Sequence, residues 1–347
     1  MQNEEQIKPI PRVVLVILNW NGKHFLEKFL PSIISVSYDN LEIIVGDNAS
    51  TDDSISFLNA QYPSLRIIEN DKNYGFAEGY NRVLNHVNAD YFILLNSDVE
   101  VEVDFINPII KLMEGDKEIA ACQPKIRSFK NKNQFEYAGA AGGFIDKYAY
   151  PFCRGRIFDE LESDQNQYEI NKEIFWASGA ALFIRAELFK TMGGFDASFF
   201  AHMEEIDLCW RLKNAGHKIY YCPESVVYHV GGGTLDAENP RKTHLNFRNS
   251  LYMLHKNVQH GKLFSTLFIR HLFDLLTIAK FISEGKFKHV FAINKAHFDY
   301  VTNIFNLNRE RKLLKSNPIL IKEIYPKSIV VEYFIKKKKY FKDLNWL

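Results

Sequence analysis

Residues 91–101 read YFILLNSDVEV, and the reading of this stretch decides the fold. Its first five residues are an apolar run of strand length, after which the chain turns abruptly polar at Asn96, Ser97 and Asp98. A buried strand that ends in a polar cluster at its carboxyl end is where open α/β sheets hold ligands. A carboxylate there, with oxygen donors beside it, suits a hard divalent cation holding a phosphate. Asn, Ser and Asp are also ordinary turn formers, so the same residues fit a plain turn. The company they keep decides between the two.

Upstream, residues 13–18 (VVLVIL) are continuously apolar and β-branched, the pattern of a buried parallel strand. They run into a turn, Asn19-Trp20-Asn21-Gly22. Residues 23–37 carry Leu26, Phe29, Leu30, Ile33 and Ile34 at helical spacing, with Pro31 expected to kink or shorten that helix. A second strand at 41–46 ends in the acidic loop 47–53, a helix follows at 54–61, and a short strand at 65–69. Residues 74–87 suit a helix that delivers the chain to Tyr91, despite Gly75 and Gly79. This alternation predicts an α/β fold with a mostly parallel sheet built from right-handed crossovers. No Gly-x-Gly-x-x-Gly follows the first strand and no Walker-type lysine loop occurs, which excludes the usual dinucleotide and P-loop folds. Residues 231–234 (GGGT) lack the lysine and read as a loop.

Downstream, residues 173–185 read as one long strand interrupted at Ser178-Gly179, followed by a short helix at 186–192. Residues 204–214 (EEIDLCWRLKN) are helical up to Gly216. Residues 217–222 and 225–229 are strand-like, the second ending on His229. From about residue 263 the texture changes. A helix over 263–282 sets Thr266, Arg270, Asp274 and Thr277 on one narrow stripe, with most of the remainder apolar. That pattern suits a helix lying on a membrane, with the Lys336-Lys337-Lys338-Lys339 tract for anionic headgroups. A helix packed against the domain and a solvated basic tail fit it too.

The 347 residues are enough for one large domain with an appendage. The net charge of +1 hides an asymmetry: residues 256–347 hold 18 Lys/Arg against 7 Asp/Glu, the remainder 25 against 35. Cys122, Cys153, Cys209 and Cys222 are scattered without a Cys-x-x-Cys pair, which favours a reducing compartment and argues against structural zinc. The polar start lacks a signal-peptide core, and no run reaches eighteen apolar residues. A cytoplasmic protein, peripheral on the inner membrane, is the expectation.

In this order the pieces VVLVILNWNG (13–22), VGDNASTDDS (45–54), NYGFAEGYN (73–81), LLNSDVEV (94–101), GGFDASFFAHMEEIDLCWRLKNAG (193–216) and VVYH (226–229) carry a resemblance. The chain resembles the inverting family 2 glycosyltransferases of the GT-A fold, and within them the rhamnosyltransferase-like members acting on cell-surface polysaccharides. The resemblance implies a GT-A catalytic domain over 1–250; beyond it, residues 251–347 read from their own pattern as a helical, basic extension that is expected to associate with a membrane. It implies a dTDP- or UDP-sugar donor, a glycan or lipid-linked acceptor, a divalent cation (Mg²⁺ or Mn²⁺), and no nucleic acid.

Displacing a nucleoside diphosphate through an oxocarbenium-like transition state needs a counter-charge for the diphosphate and a base for the attacking hydroxyl. By resemblance Asp47 meets the donor base, although an Asx turn or N-cap suits it too. Asn19 and Asn21 lie beside base and ribose, and Asn73 and Gly75 approach the donor. Asn96, Ser97 and Asp98 match an Asp-x-Asp-type motif whose first acid is here Asn96, so metal affinity is expected to be lower. Asp98 and His229 are the implied metal ligands. Glu205 is the implied catalytic base, with Asp207 a second acid that is catalytic, structural or orienting; Asp207 also sits four residues before Arg211, an ion-pair spacing. Trp176, Ser178 and Gly179 line the implied sugar and acceptor pocket, although Trp176 fits a core equally well. Arg248 is matched to diphosphate. Two other readings stand beside this one: a sugar nucleotidyltransferase, disfavoured by the missing basic glycine loop, and a non-catalytic nucleotide-binding scaffold.

Overall fold

The computed structural model describes residues 9–231, 238–259, 261–314 and 320–346, so most of the 231–234 loop lies outside the described residues. The front half forms β1 (Val13–Asn19), α1 (Lys23–Ile34), β2 (Leu41–Asp47), α2 (Ser54–Gln61), β3 (Arg66–Glu69), α3 (Gly75–Leu84), β4 (Tyr91–Asn96), β5 (Val99–Val101) and α4 (Asn107–Gly115). Then come β6 (Ile119–Ser128), β7 (Gly143–Asp146), β8 (Pro151–Cys153), β9 (Arg156–Ile157), β10 (Glu160–Leu161), β11 (Lys172–Ile174), β12 (Ala181–Arg185), α5 (Ala186–Thr191), α6 (Glu204–Asn214) and β13 (Lys218–His229). The rear supplies α7 (Pro240–Asn257), α8 (Leu263–Ser283), α9 (Phe287–Thr302), α10 (Ile304–Leu313) and β14 (Ile324–Tyr325).

Strands β3, β2, β1 and β4 are parallel neighbours, and the unbroken apolar runs of β1 and β4 take the central places where both faces are covered, with the short β3 at the edge. Successive residues of β1 feed two apolar layers: Val14 and Val16 face one, Val13, Leu15 and Ile17 the other. Register matters for function. Asn19 lies opposite Asp47, and Leu18 opposite Asn96, so three polar strand ends meet at one edge. Beyond β4 the sheet turns mixed, with β12 antiparallel between β4 and β6, and β13 parallel to β6.

Several expectations need correction. Residues 173–185 are two strands rather than one: β11 pairs with β13 while β12 pairs with β4 and β6. Residues 217–229 form the single strand β13, with an irregular register between Cys222 and Val226. Pro31 is accommodated inside α1, which still ends at Ile34, short of residue 37. The boundary at 250/251 falls inside α7, and the rear helps close the structure: β14 extends a second sheet of order β10-β9-β8-β7-β14. Phe341 and Trp346 stack on Phe144 of that sheet, which is why the rear shares the core.

Trp176 joins the two sheets. Its Nε1 donates to the Phe144 carbonyl at 2.9 Å, and its ring covers Gly143 so closely that a Cβ there would overlap it. Gly143→Ala is therefore expected to lower stability by about 1–3 kcal/mol, read as a lower urea midpoint. An unchanged midpoint would mean the ring is not clamped.

Candidate active site

At the ends of β1 and β2 the side chains are already hydrogen-bonded to one another. Asn19 Nδ2 donates to Asp47 Oδ1 at 3.0 Å and to Ser50 Oγ at 3.1 Å. Asp47 accepts the Ser50 amide at 2.8 Å and its hydroxyl at 2.6 Å, a bond to the residue three on that resembles a cap rather than an Asx turn. Asn21, at φ 52, accepts the Thr51 amide at 2.7 Å and fixes the opposite loop. One buried acceptor, Asn19 Oδ1, has no partner and sits against the Gly22 backbone. This wall is rigid and polar, a suitable seat for a heterocycle and ribose.

Asn48, which sequence reasoning passed over, organises the next wall. Its Nδ2 donates to the Gly75 carbonyl at 2.8 Å and to Asn73 Oδ1 at 3.2 Å, and Asn73 in turn caps the Gly75 amide at 2.8 Å. Gly75 stands at φ 76, and a Cβ there would strike Phe200. The reason is a close approach: the Phe76 amide donates to the Phe200 carbonyl at 2.6 Å. Phe200, His202 and Met203 all take positive φ in the loop that enters α6. That strained loop is pinned from α7. Asn249 Nδ2 lies within hydrogen-bond distance of the carbonyls of Phe199, Ala201 and His202, and Arg248 Nη2 donates to those of Ser198 and Phe199. Arg248 Nε donates to Asn249 Oδ1 at 2.9 Å, so the two neighbours on α7 hold the loop together.

At the carboxyl end of β4, Asp98 Oδ1 lies 3.1 Å from His229 Nε2, and Asn96 Nδ2 is 3.4 Å from the same nitrogen. Behind the ring, Nδ1 lies 3.2 Å from Glu136 Oε2, an ion-pair distance outside hydrogen-bond alignment. All three are buried. Burial opposes the imidazolium, but Glu136 and then Asp98 push the histidine up to about 10. Burial likewise opposes the Asp98 carboxylate, yet the hydrogen bond and charge of His229 hold it below its ordinary value. Glu136 gave no local sequence signal, because it reaches His229 only through the sheet. Among the described residues no cluster of three or more His, Cys, Asp or Glu side chains suits a metal ion. A hard cation here would take an Asp98 carboxylate oxygen, and the His229 nitrogen only in place of that ring's proton, leaving the other positions to water and diphosphate oxygens.

Glu205 stands in the first turn of α6, across from Gly179 and Phe76. Burial pushes it up to about 7, against the pull of the backbone amides of Glu205, Ile206 and Gly179. Its buried Oε2 has no hydrogen-bond partner. Glu204 is raised further, by burial and by the charge of Glu205. Asp207 is different. It is fully buried, accepts from Arg211 Nε at 2.9 Å and Asn257 Nδ2 at 2.7 Å, and lies 3.2 Å from Lys256. Its geometry is that of a structural acid anchoring α6 to α7.

Ser178 and Gly179 form the turn between β11 and β12. The Ser178 amide donates to Gln123 Oε1 at 3.0 Å and its hydroxyl to the Ala138 carbonyl at 2.7 Å, so the turn is fixed and the Gly179 amide is brought to Glu205. Trp176 belongs to the core, buried between the sheets. Ser97 lies near the Gly22 turn, which brings the β4 end beside the Asn19 wall.

Comparison with known proteins bears on the family and the fold. The model of the family described as Glycosyl transferase family 2 matches residues 14–193. The chain is 25% identical over 222 residues to the N-acetylglucosaminyl-diphospho-decaprenol L-rhamnosyltransferase of Mycobacterium tuberculosis, covering 60% of this chain and 72% of that one. It is 24% identical over 226 residues to the rhamnosyltransferase WbbL of Escherichia coli, covering 62% and 83%. Among solved structures, the mannosyltransferase PcManGT of Pyrobaculum calidifontis, in complex with GDP-Man and Mn²⁺, shares the fold at a TM-score of 0.53. That likeness covers 95% of this chain and 89% of the other at 14% identity.

Proposed function

The chain belongs to glycosyl transferase family 2, and from that premise we propose that it transfers rhamnose, with inversion, from a dTDP- or UDP-linked donor to a hydroxyl of a lipid-linked glycan. The observation that carries the reading is the meeting, at one sheet edge, of the Asp98–His229 pair with the polar ends of β1 and β2. Glu205, with its free oxygen, completes the set.

The Asn19–Asp47–Ser50 wall and the Asn48–Asn73 pair hold the nucleoside end of the donor. Asp98, with the His229 ring once deprotonated, would hold a divalent cation, which would supply counter-charge to the leaving diphosphate. Glu136 orients the His229 ring from behind. Glu205 accepts the proton of the attacking hydroxyl as the new C–O bond forms at the anomeric carbon, while the old bond's electron pair leaves with the diphosphate. One in-line displacement inverts the centre without a covalent sugar–enzyme intermediate. Asp207, Arg248 and Asn249 keep the Phe200–Met203 loop and α6 in place for that step.

The rhamnosyltransferase relatives support the choice of sugar, and the decaprenol named for one of them supports a lipid-linked acceptor in cell-envelope polysaccharide synthesis. Among the described residues no helix is long and apolar enough to cross a membrane; the lipid-linked substrate named for the Mycobacterium relative is what leads us to place the reaction at a membrane surface. The rear, after the catalytic part ends in α7, serves the acceptor side.

The test is a donor screen by nucleotide release. Purified protein is given dTDP-rhamnose, UDP-sugars and GDP-sugars, with Mg²⁺, Mn²⁺ or EDTA, and an undecaprenyl-diphosphate-sugar acceptor. Release from dTDP-rhamnose alone, lost in EDTA, is expected. Binding of a nucleoside diphosphate without turnover of any donor would favour the scaffold reading of the same fold.

A further inference from the structure

Helix α8 is inside out for a soluble protein. Its polar stripe points inward: Arg270 and Asp274 are buried, joined at 3.2 Å, and bolted to the turn between β7 and β8. Arg270 Nη1 donates to the Tyr148 carbonyl at 3.3 Å, Tyr150 Oη donates to Asp274 at 3.2 Å, and His297 of α9 approaches the same carboxylate at 3.2 Å. This stripe fastens α8 to the small sheet and to α9, so the opposite face must point away from the protein. That face is apolar. Phe264 is 83% exposed, Phe268 57%, Leu272 44% and Leu276 66%, and their spacing of four keeps them on one side over about 18 Å of helix. The adjoining α9 continues the surface with Phe291 at 73% and Phe298 at 67% exposure. A patch of this kind on a folded protein marks a contact surface.

We propose that α8 and α9 together form a bilayer-docking surface, with their outward aromatic and leucine side chains seated in the headgroup–acyl boundary of an anionic membrane. The inference rests on the membrane-surface reading above and deepens it by naming the surface. Charge selects the occupant. Lys288 and Lys295 stand among the outward phenylalanines of α9, are exposed, and make no ion pair among the described residues. Lysine beside phenylalanine on an exposed helix face matches acyl chains below and anionic phosphates above. A two-fold contact between copies of this chain through the same face would bring these like charges together. The Lys336–Lys339 tract, expected from sequence to bind headgroups, has another use: Lys336 and Lys338 pair with the buried Glu332, and Lys339 pairs with Glu160. Because the Arg270–Asp274 stripe ties α8 to the turn between β7 and β8, and Trp176 joins β7 to the large sheet, docking would fix the small sheet and its junction with the large one relative to the lipid.

The test is vesicle flotation of the full chain, with sedimentation velocity alongside. Vesicles contain phosphatidylglycerol with phosphatidylethanolamine, or phosphatidylcholine alone. The parent is expected to float with the anionic vesicles and at least about tenfold less with phosphatidylcholine. The paired variants Phe268→Glu/Leu272→Glu and Phe291→Glu/Phe298→Glu are each expected to lower the partition coefficient by at least about tenfold. They replace exposed side chains, so nucleotide-sugar binding should be retained and shows that each variant is folded. A parent that stays unbound, or variants that float like the parent, would overturn the proposal. So would a dimer abolished by the same variants with no vesicle binding, which would give the face to a second copy. Loss of donor binding in the parent itself would instead overturn the transferase reading and leave the flotation result standing.

Discussion

Glu205→Gln is expected to lower the turnover of sugar transfer by roughly 10²–10⁴-fold while leaving donor affinity within about threefold. Glutamine keeps the size and hydrogen-bonding reach of the side chain but cannot take a proton at neutral pH. The environment makes glutamate suited to the task. A helix N-terminus ordinarily favours a carboxylate and lowers its pKa, yet burial outweighs the backbone amides here and pushes Glu205 up to about 7. The base must be ionised to act, so the parent's kcat/KM should fall as pH drops below about 7, by about tenfold per unit once well below it. In the glutamine variant this limb should vanish. The neighbouring acids are internal controls. Asp207 is locked to Arg211, Asn257 and Lys256, so Asp207→Asn should act on stability, by about 3–5 kcal/mol, before it acts on chemistry. Should Glu204→Gln, rather than Glu205→Gln, remove the acidic limb, the base would be reassigned to Glu204.

The strands that build the binding edge were legible because their chemistry is local. Residues 13–18 and 91–95 are apolar without interruption and 41–46 is broken by Glu42 alone, the pattern of strands covered on both faces, and each gives way to polar residues at the edge where Asn19, Asp47 and Asn96 meet. Helices α2 and α6 lie where spacing puts them, at 54–61 and 204–214. What sequence could not give was partnership across distance. The small sheet joins residue 145 to residue 324 through strands of two to four residues, too short for any periodic signal. Trp176 carries the same local pattern whether it packs on a sugar or on Gly143; the second is what the structure holds. Glu136 and Asn249 are unremarkable in sequence because their roles are set by His229 and by the carbonyls of residues 199–202. The polar stripe of α8 was visible, but not the direction it faces, since a helix lying on lipid and a helix packed on protein share one periodicity.

Asp98→Ala is expected to abolish measurable Mn²⁺ binding by calorimetry and to lower metal-supported transfer by roughly 10²–10³-fold, the scale set by losing charge stabilisation of a leaving group. The chain offers few donors at this place. Asn96 stands where a second acid would add charge, and among the described residues no cluster of three acidic, histidine or cysteine ligands forms. With one carboxylate and one imidazole, deleting the carboxylate leaves nothing to compensate. Glu136→Gln separates ligand from support. Glu136 lies on the far side of the His229 ring from Asp98, one at Nδ1 and the other at Nε2, so it touches the histidine rather than the ion's place. A carboxylate in that position orients the ring and raises its basicity, and its loss should weaken Mn²⁺ binding by about 10–100-fold rather than abolish it. Excess Mn²⁺ should then restore turnover to Glu136→Gln but not to Asp98→Ala. Nucleoside diphosphate bound without metal should be unaffected in Glu136→Gln, because the Asn19–Asp47–Ser50 wall is built independently of His229. Mn²⁺ affinity unchanged in Asp98→Ala, or transfer that proceeds equally in EDTA, would instead make His229 the counter-charge: an imidazolium held between two buried carboxylates is already a cation at the end of β4.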